Sequence, residues 1–242
     1  MRAAIVSATG RPPALGELAA PVASAGEKLI RVDSAAIANP GMSSWVALTE
    51  RPRLKPGETV LVNGATGTSG RLAVQITKLL GAGRIIATGR NAKALGEARS
   101  LGADTTIQLG EDAERLEHRF MQELAQGIDI VIDYLWGPGA GRLLIAAAKA
   151  GRDAVPMRFV QVGSVSASDI TLPGSVLRAS AIELMSSGHG SVPVPRLIEK
   201  SRARSCVRPS PTIWRSPSSR CRSLISTGHG RWTIALAAPC LP

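Results

Sequence analysis

The sequence predicts an α/β domain: a parallel sheet with helices on both faces. Two observations carry that prediction. From residue 57 to about residue 164, short apolar runs alternate with segments of helical spacing, and a glycine-rich turn joins the first run to the first helix. Strands separated by helices of about 10 residues pair in parallel, because a crossover of that length is what returns the chain in the same direction.

The elements can be justified in order. Thr59-Val-Leu-Val-Asn63 follows the Pro56-Gly57 turn and is a short buried strand. Leu72, Ile76 and Leu79/Leu80 recur at helical spacing, and Gly81 closes that helix. Residues 84–88 form the second strand, and 92–101 a helix stopped by Gly102. Residues 105–109 make a thin third strand and 113–124 the third helix. The fourth strand spans 128–133, a helix 141–150 and the fifth strand 158–162. Upstream lie an apolar run from Ala3 to Val6, a strand at 28–33, a break at Asn39-Pro40-Gly41 and a short helix at 42–49.

Composition bounds the class. The 242 residues are 44% hydrophobic, enough for a core, yet no apolar run approaches a bilayer span of about 20 residues. The N-terminus lacks a secretory pattern, so the chain is expected to be soluble and cytoplasmic, with no membrane partner. The net charge of +11 would raise the question of nucleic acid, but it is unevenly placed. Residues 200–242 hold eight basic side chains and no acidic one, leaving only +3 on the rest. That tail is rich in Ser, Arg and Pro, lacks periodicity, and is expected to be disordered. Its arginines, with Trp214 and Trp232, would hold phosphate chains only non-specifically, so no specific nucleic-acid partner is expected. All three cysteines (Cys206, Cys221, Cys240) lie in the tail, which excludes both a disulfide framework and a clustered zinc set in the body.

The turn Gly64-Ala-Thr66-Gly67-Thr68-Ser69-Gly70 sits between strand and helix. Dinucleotide sites need glycine there for a tight turn, for close approach of backbone to pyrophosphate, and for packing of helix on strand. Amides at the helix start then face the phosphates, and the helix dipole favours their charge. A purely structural tight turn is the competing reading, but the strand–turn–helix setting favours a Rossmann-like site. At the end of the second strand stands Gly89-Arg90-Asn91, with no acid before Glu97. A carboxylate there would bond ribose hydroxyls, whereas the guanidinium fork of Arg90 matches a 2′-phosphate. NADPH is therefore the expected cofactor, with Lys93 nearby. The plainer alternative leaves Arg90 solvated at a strand end.

Other chemistry is sparse. His118 belongs on the outer face of a helix, His189 lies in the turn 186–191, where it borders a pocket or nothing, and His229 carries no motif. Tyr134 is the only tyrosine, and Pro138 stands four residues on where a short-chain reductase has lysine. Trp136 follows the fourth strand and either walls a pocket or packs. No catalytic residue is assigned; hydride transfer needs donor and acceptor in contact with water excluded, which a site without a conspicuous acid or base can supply.

The ordered pieces Met1-Arg-Ala-Ala-Ile-Val6, Leu29-Ile-Arg-Val-Asp33, Asn39-Pro-Gly-Met-Ser-Ser-Trp-Val-Ala-Leu48, Leu54-Lys-Pro-Gly-Glu-Thr-Val-Leu-Val62, 64–70, Ala87-Thr-Gly-Arg-Asn91, Leu101-Gly-Ala-Asp104 and Val162-Gly163 resemble the zinc-free, quinone-oxidoreductase-like branch of the medium-chain dehydrogenase/reductase family. The resemblance implies an NADPH-dependent oxidoreductase passing hydride to a quinone, enone or related carbonyl compound without zinc, as a homodimer. It places Thr66 to Gly70 on the pyrophosphate, Arg90 and Asn91 at the 2′-phosphate, and Gly163 and Ser164 beside the cofactor. It divides the chain into a remnant of a GroES-like barrel (1–40), an NADP-binding Rossmann-like domain (41–199) and an aberrant basic tail (200–242). Most of the barrel would fall between Pro40 and Gly41, where this chain has no residues, and the family's sixth strand is expected to be missing. Such losses would leave a sheet edge bare and the reacting end of the cofactor wet. A non-catalytic NADPH-binding or regulatory protein is the alternative.

Overall fold

The computed structural model describes residues 40–110, 112–188, 190–193 and 196, and elsewhere only the backbone of a few strand and helix segments. The chain divides into two units, one of residues 1–39 with 215–242 and one of residues 40–214. In the first, strand β1 (Arg2–Ile5) pairs antiparallel with β2 (Ala14–Glu17), and β3 (Lys28–Val32) lies at one edge of a three-stranded antiparallel sheet. The expected barrel remnant and basic tail otherwise lie outside the described residues.

Helix α1 (Ala35–Thr49), whose residues from Pro40 on belong to the second unit, leads to β4 (Thr59–Asn63), α2 (Thr68–Leu79), β5 (Arg84–Gly89) and α3 (Ala92–Ser100). There follow β6 (Thr105–Gln108), α4 (Ala113–Ala125), β7 (Ile130–Asp133), α5 (Gly137–Ala150), β8 (Met157–Gln161), α6 (Gly174–Arg178) and β9 (Ile182–Ser186). Beyond this unit, β10 (Ser223–Gly228) and β11 (Arg231–Ala235) complete the sheet that contains β3.

The sheet of the second unit runs β6-β5-β4-β7-β8-β9, with every pair parallel. The chain winds outward from β4 to β6, returns across β4 and winds the other way to β9. The reversal lies between β4 and β7, and in such sheets the crevice at the carboxyl ends there is where ligands sit.

Both faces are covered. Leu61, Ile86, Val131 and Phe159 point to one side and are buried against Leu116, Phe120 and Leu124 of α4 and Leu143 and Leu144 of α5. Side chains alternate along a strand, so Val60 and Val62 face the other side, where α2 covers β4 and β5. The helices start where the sequence supplies acceptors: Asn91 caps α3 by accepting from the Ala94 amide at 2.9 Å, and Asp112 caps α4 through the Glu114 amide.

Several expectations change. The sixth strand is present as β9, pairing along its length with β8 from Met157↔Ile182 to Gln161↔Ser186. It covers the edge that the sequence left bare. Its outer residues stay exposed, which hides the alternation of a buried strand. Helix α1 runs through Asn39-Pro40-Gly41, because a proline removes one rung of the helical ladder and the remainder of α1 continues past it. Helix α5 begins at Gly137 and not at residue 141, since Pro138 occupies its first turn, where no donor is needed. Leu79 is 43% exposed and does not extend the buried stripe of Leu72 and Ile76. The remaining boundaries agree within two residues.

Phe159 is wholly buried between β7, α5 and Trp136, so Phe159→Ala should cost about 3–5 kcal/mol. Urea unfolding followed by circular dichroism checks this; a loss below about 1 kcal/mol would mean that the cluster is not the core of the domain.

Candidate functional site

The glycine turn leaves β4 at the reversal point of the sheet. Gly64 has φ +90, and a methyl group there would stand 2.9 Å from Leu135. A methyl on Gly70 would stand 2.2 Å from the Gly64 carbonyl oxygen, so the first turn of α2 rests directly on the backbone that precedes it. Gly67, by contrast, is exposed and has open space where a side chain would go. That difference separates the packing glycines from the one that leaves room for a ligand.

Helix α2 begins at Thr68 with Gly67 in the capping position and no side-chain cap. The Arg71 amide bonds back to the Gly67 carbonyl, while the amides of Thr68, Ser69 and Gly70 meet no acceptor among the described residues. Unfilled amides at a helix start, with the positive end of the dipole, form an anion site. No acidic side chain occupies the first turn of α2.

Beneath the turn lies a buried polar relay. The Gly64 amide donates to Thr88 Oγ1, and Thr88 Oγ1 donates to Asn63 Oδ1 at 2.6 Å. Asn63 Nδ2 donates to Asp133 Oδ1 at 2.8 Å, and the amides of Leu135 and Trp136 donate to the two Asp133 oxygens at 3.0 Å each. Asp133 is fully buried. Removal from water pushes its carboxyl above the ordinary value of 3.8, and the three donors offset part of that rise. The relay ties the ends of β4, β5 and β7 to the segment carrying Trp136, whose φ of 56° is held by the Asp133 bond to its amide. Trp136 packs on Phe159, ring centres 6.4 Å apart. Of its two expected roles, the structure shows the packing one.

A second lock involves Tyr134, whose hydroxyl lies 2.7 Å from Ser44 Oγ on α1, while Ser44 Oγ reaches the carbonyls of Pro40 and Ser69. Burial raises the Tyr134 phenol well above its usual range. The pair connects α1, the start of α2 and the end of β7.

Around this frame, Thr66 is half-buried with its methyl group against Gly89, and Thr68 is exposed beside Gly67. Arg90 and Asn91 are exposed at the end of β5. The Arg90 guanidinium has no ion-pair partner among the described residues, and its carbonyl accepts from Gln108. Asn91 Oδ1 is taken by the cap of α3, leaving only its amide nitrogen for a ligand. Arg71 is paired with Glu97. Gly163 and Ser164 follow β8 at the same edge, Gly163 packed against the Tyr134 backbone and Ser164 exposed. A cavity of about 400 Å³ opens there, lined by Gln161, Val162, Ser187, Gly188 and Ser191. His118 is on the surface beside Gln122, while His189 and His229 lie outside the described residues. The sequence reading missed Thr88, Asn63 and Ser44; only their positions at strand ends and near the turn hinted at a role.

Among the described residues no three His, Cys, Asp or Glu gather where a metal ion could sit, and no described helix is long and apolar enough to cross a membrane.

This geometry defines a doubly wound α/β protein with a parallel six-stranded sheet. The profile of the zinc-binding dehydrogenases matches residues 70–187. "Probable NADPH-dependent quinone reductase tdiC" of Emericella nidulans is 34% identical over 178 residues, covering 68% of this chain and 48% of that protein. Prostaglandin reductase-3 of Bos taurus is 30% identical over 151 residues, covering 58% and 38%. The chain thus spans half or less of the length of these curated relatives. The quinone oxidoreductase of Thermus thermophilus, solved also in complex with NADPH, superposes with a TM-score of 0.63 at 19% identity over 84% of this chain and 86% of that one. CurA of Vibrio vulnificus, solved with NADPH, gives 0.55 at 21% identity over 69% and 50%. The chain carries the medium-chain dehydrogenase/reductase fold and is similar in sequence to proteins named as quinone and prostaglandin reductases.

Asp133→Asn keeps the shape but turns a donor toward the Trp136 amide, leaving it unpaired; stability near neutral pH should fall by about 1–3 kcal/mol. The pH dependence should change as well. A carboxyl whose folded pKa is raised contributes its full stability below the unfolded value near 3.8 and loses it as pH rises through the folded pKa. Native Asp133 therefore gives a decline in stability above pH 4, and the Asn variant should lack that component. Thermal melts of both proteins across this range check the difference.

Proposed function

We propose that the carboxyl edge of the sheet binds NADPH, and that the chain serves an oxidoreductase passing hydride to a quinone, enone or related carbonyl substrate without zinc. The observation that carries the reading is one edge combining uncapped α2, the open flank of Gly67 and, just past the next strand, exposed Arg90, which has no ion-pair partner among the described residues.

In this reading, the backbone of Gly64 to Gly70, with the amides of Thr68, Ser69 and Gly70, holds the pyrophosphate, and Thr66 borders it. Arg90 pairs with the 2′-phosphate, helped by the remaining amide donor of Asn91, while Gly89 lets Thr66 close against β5. Gly163 and Ser164 flank the nicotinamide end. When bound, NADPH supplies the hydride. The chain's own residues position it. Asp133 and Tyr134 are enclosed and hydrogen-bonded, so they hold the frame and do not exchange protons with a substrate.

One observation favours the second reading, a non-catalytic NADPH-binding or regulatory protein. At the nicotinamide end Val165 is 78% exposed, so this edge lacks a cover among the described residues. Excluding water from the reacting atoms requires one. The proposed barrel remnant (1–40) would have to provide it. Quinone-dependent oxidation of NADPH by the full chain separates the readings: turnover supports the oxidoreductase, and binding without turnover supports the alternative.

The cofactor assignment has its own test. Titration of the full chain with NADPH and NADH, followed by tryptophan fluorescence, should show saturable binding that favours NADPH. Arg90→Gln should weaken NADPH about tenfold and leave NADH nearly unchanged, as expected for loss of one charge-assisted contact. Equal weakening of both would remove Arg90 as the phosphate reader.

A further inference from the structure

The opposite edge of the sheet carries a second cavity, of about 300 Å³, where β7, β8 and β9 begin. A five-residue strand separates the two edges by about 17 Å, so this cavity is distinct from the glycine turn. Four core side chains, Leu124, Ile128, Ala147 and Met157, form its floor, while more of its lining is polar than apolar. Its rim is different. Arg152 and Arg178 both line it, both are exposed, and neither has an ion-pair partner among the described residues.

Three further features set this rim apart from an ordinary surface. The Arg152 guanidinium lies close against Gly127, where a methyl group would stand 2.4 Å from its Nη2, and both residues line the cavity. The turn that carries it places Ala154 at φ 56, a left-handed conformation that disfavours a residue with a Cβ. That turn also holds Val155 at the mouth with 40% of its surface in water.

A competing explanation is that the arginines complement the negative helix ends at this edge. Arg178 does end α6. Helix α5, however, already has Lys149 in its last turn, and Arg152 lies beyond its C-cap. Asp153 is the carboxylate on the cavity wall, and it pairs with neither arginine. A short apolar floor beneath two guanidinium groups that have no ion-pair partner among the described residues fits a ligand with a small apolar body and one anionic end.

We propose that this cavity binds a small organic carboxylate, its apolar chain against Leu124, Ile128 and Met157 and its carboxylate between Arg152 and Arg178. Two guanidinium groups give such a headgroup bidentate, charge-matched partners, and the buried wall removes the chain from water. The site does not depend on the cofactor reading and is tested apart from it.

The experiment is calorimetric titration of the purified full chain with octanoate, with 1-octanol and octylamine as uncharged and cationic counterparts. Saturable one-site binding of octanoate is expected, weaker for octanol and absent for octylamine. Arg152→Gln and Arg178→Gln should each weaken octanoate at least about fivefold, the discount from a full charged contact reflecting solvent at the rim. Both side chains are exposed, so the melting temperatures should stay close to that of the parent. Ala148→Phe, which fills the cavity from α5, should abolish binding, and saturating NADPH should not displace octanoate. The proposal is overturned by absence of saturable binding, by octanol binding equally well, by variants that lower stability without changing affinity, or by competition with NADPH.

Discussion

The hydrogen-bonded relay from the Gly64 amide through Thr88 and Asn63 to Asp133 holds the carboxyl edge together. A parallel sheet leaves its strand ends free to splay, because ladder bonds stop where the strands stop. Here residues at or next to the ends of three adjacent strands are bonded side chain to side chain, and Asp133 extends the bonding to the amides of Leu135 and Trp136. Every member is buried, so each unmade bond would cost a desolvated polar group. The start of the turn above it, at Gly64, is therefore held by the protein itself. Preorganisation of that kind lowers the ordering cost of binding.

Asp133 also shows why burial and charge must be weighed together. Desolvation acts to keep the carboxyl neutral, while Asn63 and two backbone amides act to keep it ionised. Desolvation is the largest influence, and the donors recover part of it. An acid in that position is costly, and its geometric use is to fix the unusual backbone of Trp136 and to aim the segment after β7. Tyr134 and Ser44 add a clamp of the same sort between α1 and the turn.

The two edges of the sheet have contrasting electrostatics. At the carboxyl edge, bare amides at the start of α2 lie near the single guanidinium of Arg90. At the opposite edge helix C-termini gather, and Arg152 and Arg178 stand over an apolar cavity. Both edges present positive charge to solvent, but the first offers a run of backbone for a long polyanion while the second offers a small open-mouthed pocket. That difference in shape separates a dinucleotide from a short amphiphilic acid.

The sequence by itself determined the βαβ rhythm, the glycine turn and the location of Arg90. Each depends on neighbours within a few residues: alternation along a strand, helical spacing of Leu72 and Ile76, and the steric demands of Gly64 and Gly70. Tertiary structure decided the rest. The relay joins residues 25 and 70 positions apart, which no local pattern links. Strand β9 is an edge strand with an exposed outer side, so its sequence lacks the alternation that marked the inner strands, and only pairing with β8 defines it. Pro40 and Pro138 look like breaks in one dimension, yet one costs α1 a single rung and the other sits where α5 needs no donor. The cavity at the opposite edge is lined by three separate segments, 124–128, 147–157 and 178–182, and its two arginines share that lining only because the sheet sets β8 and β9 side by side.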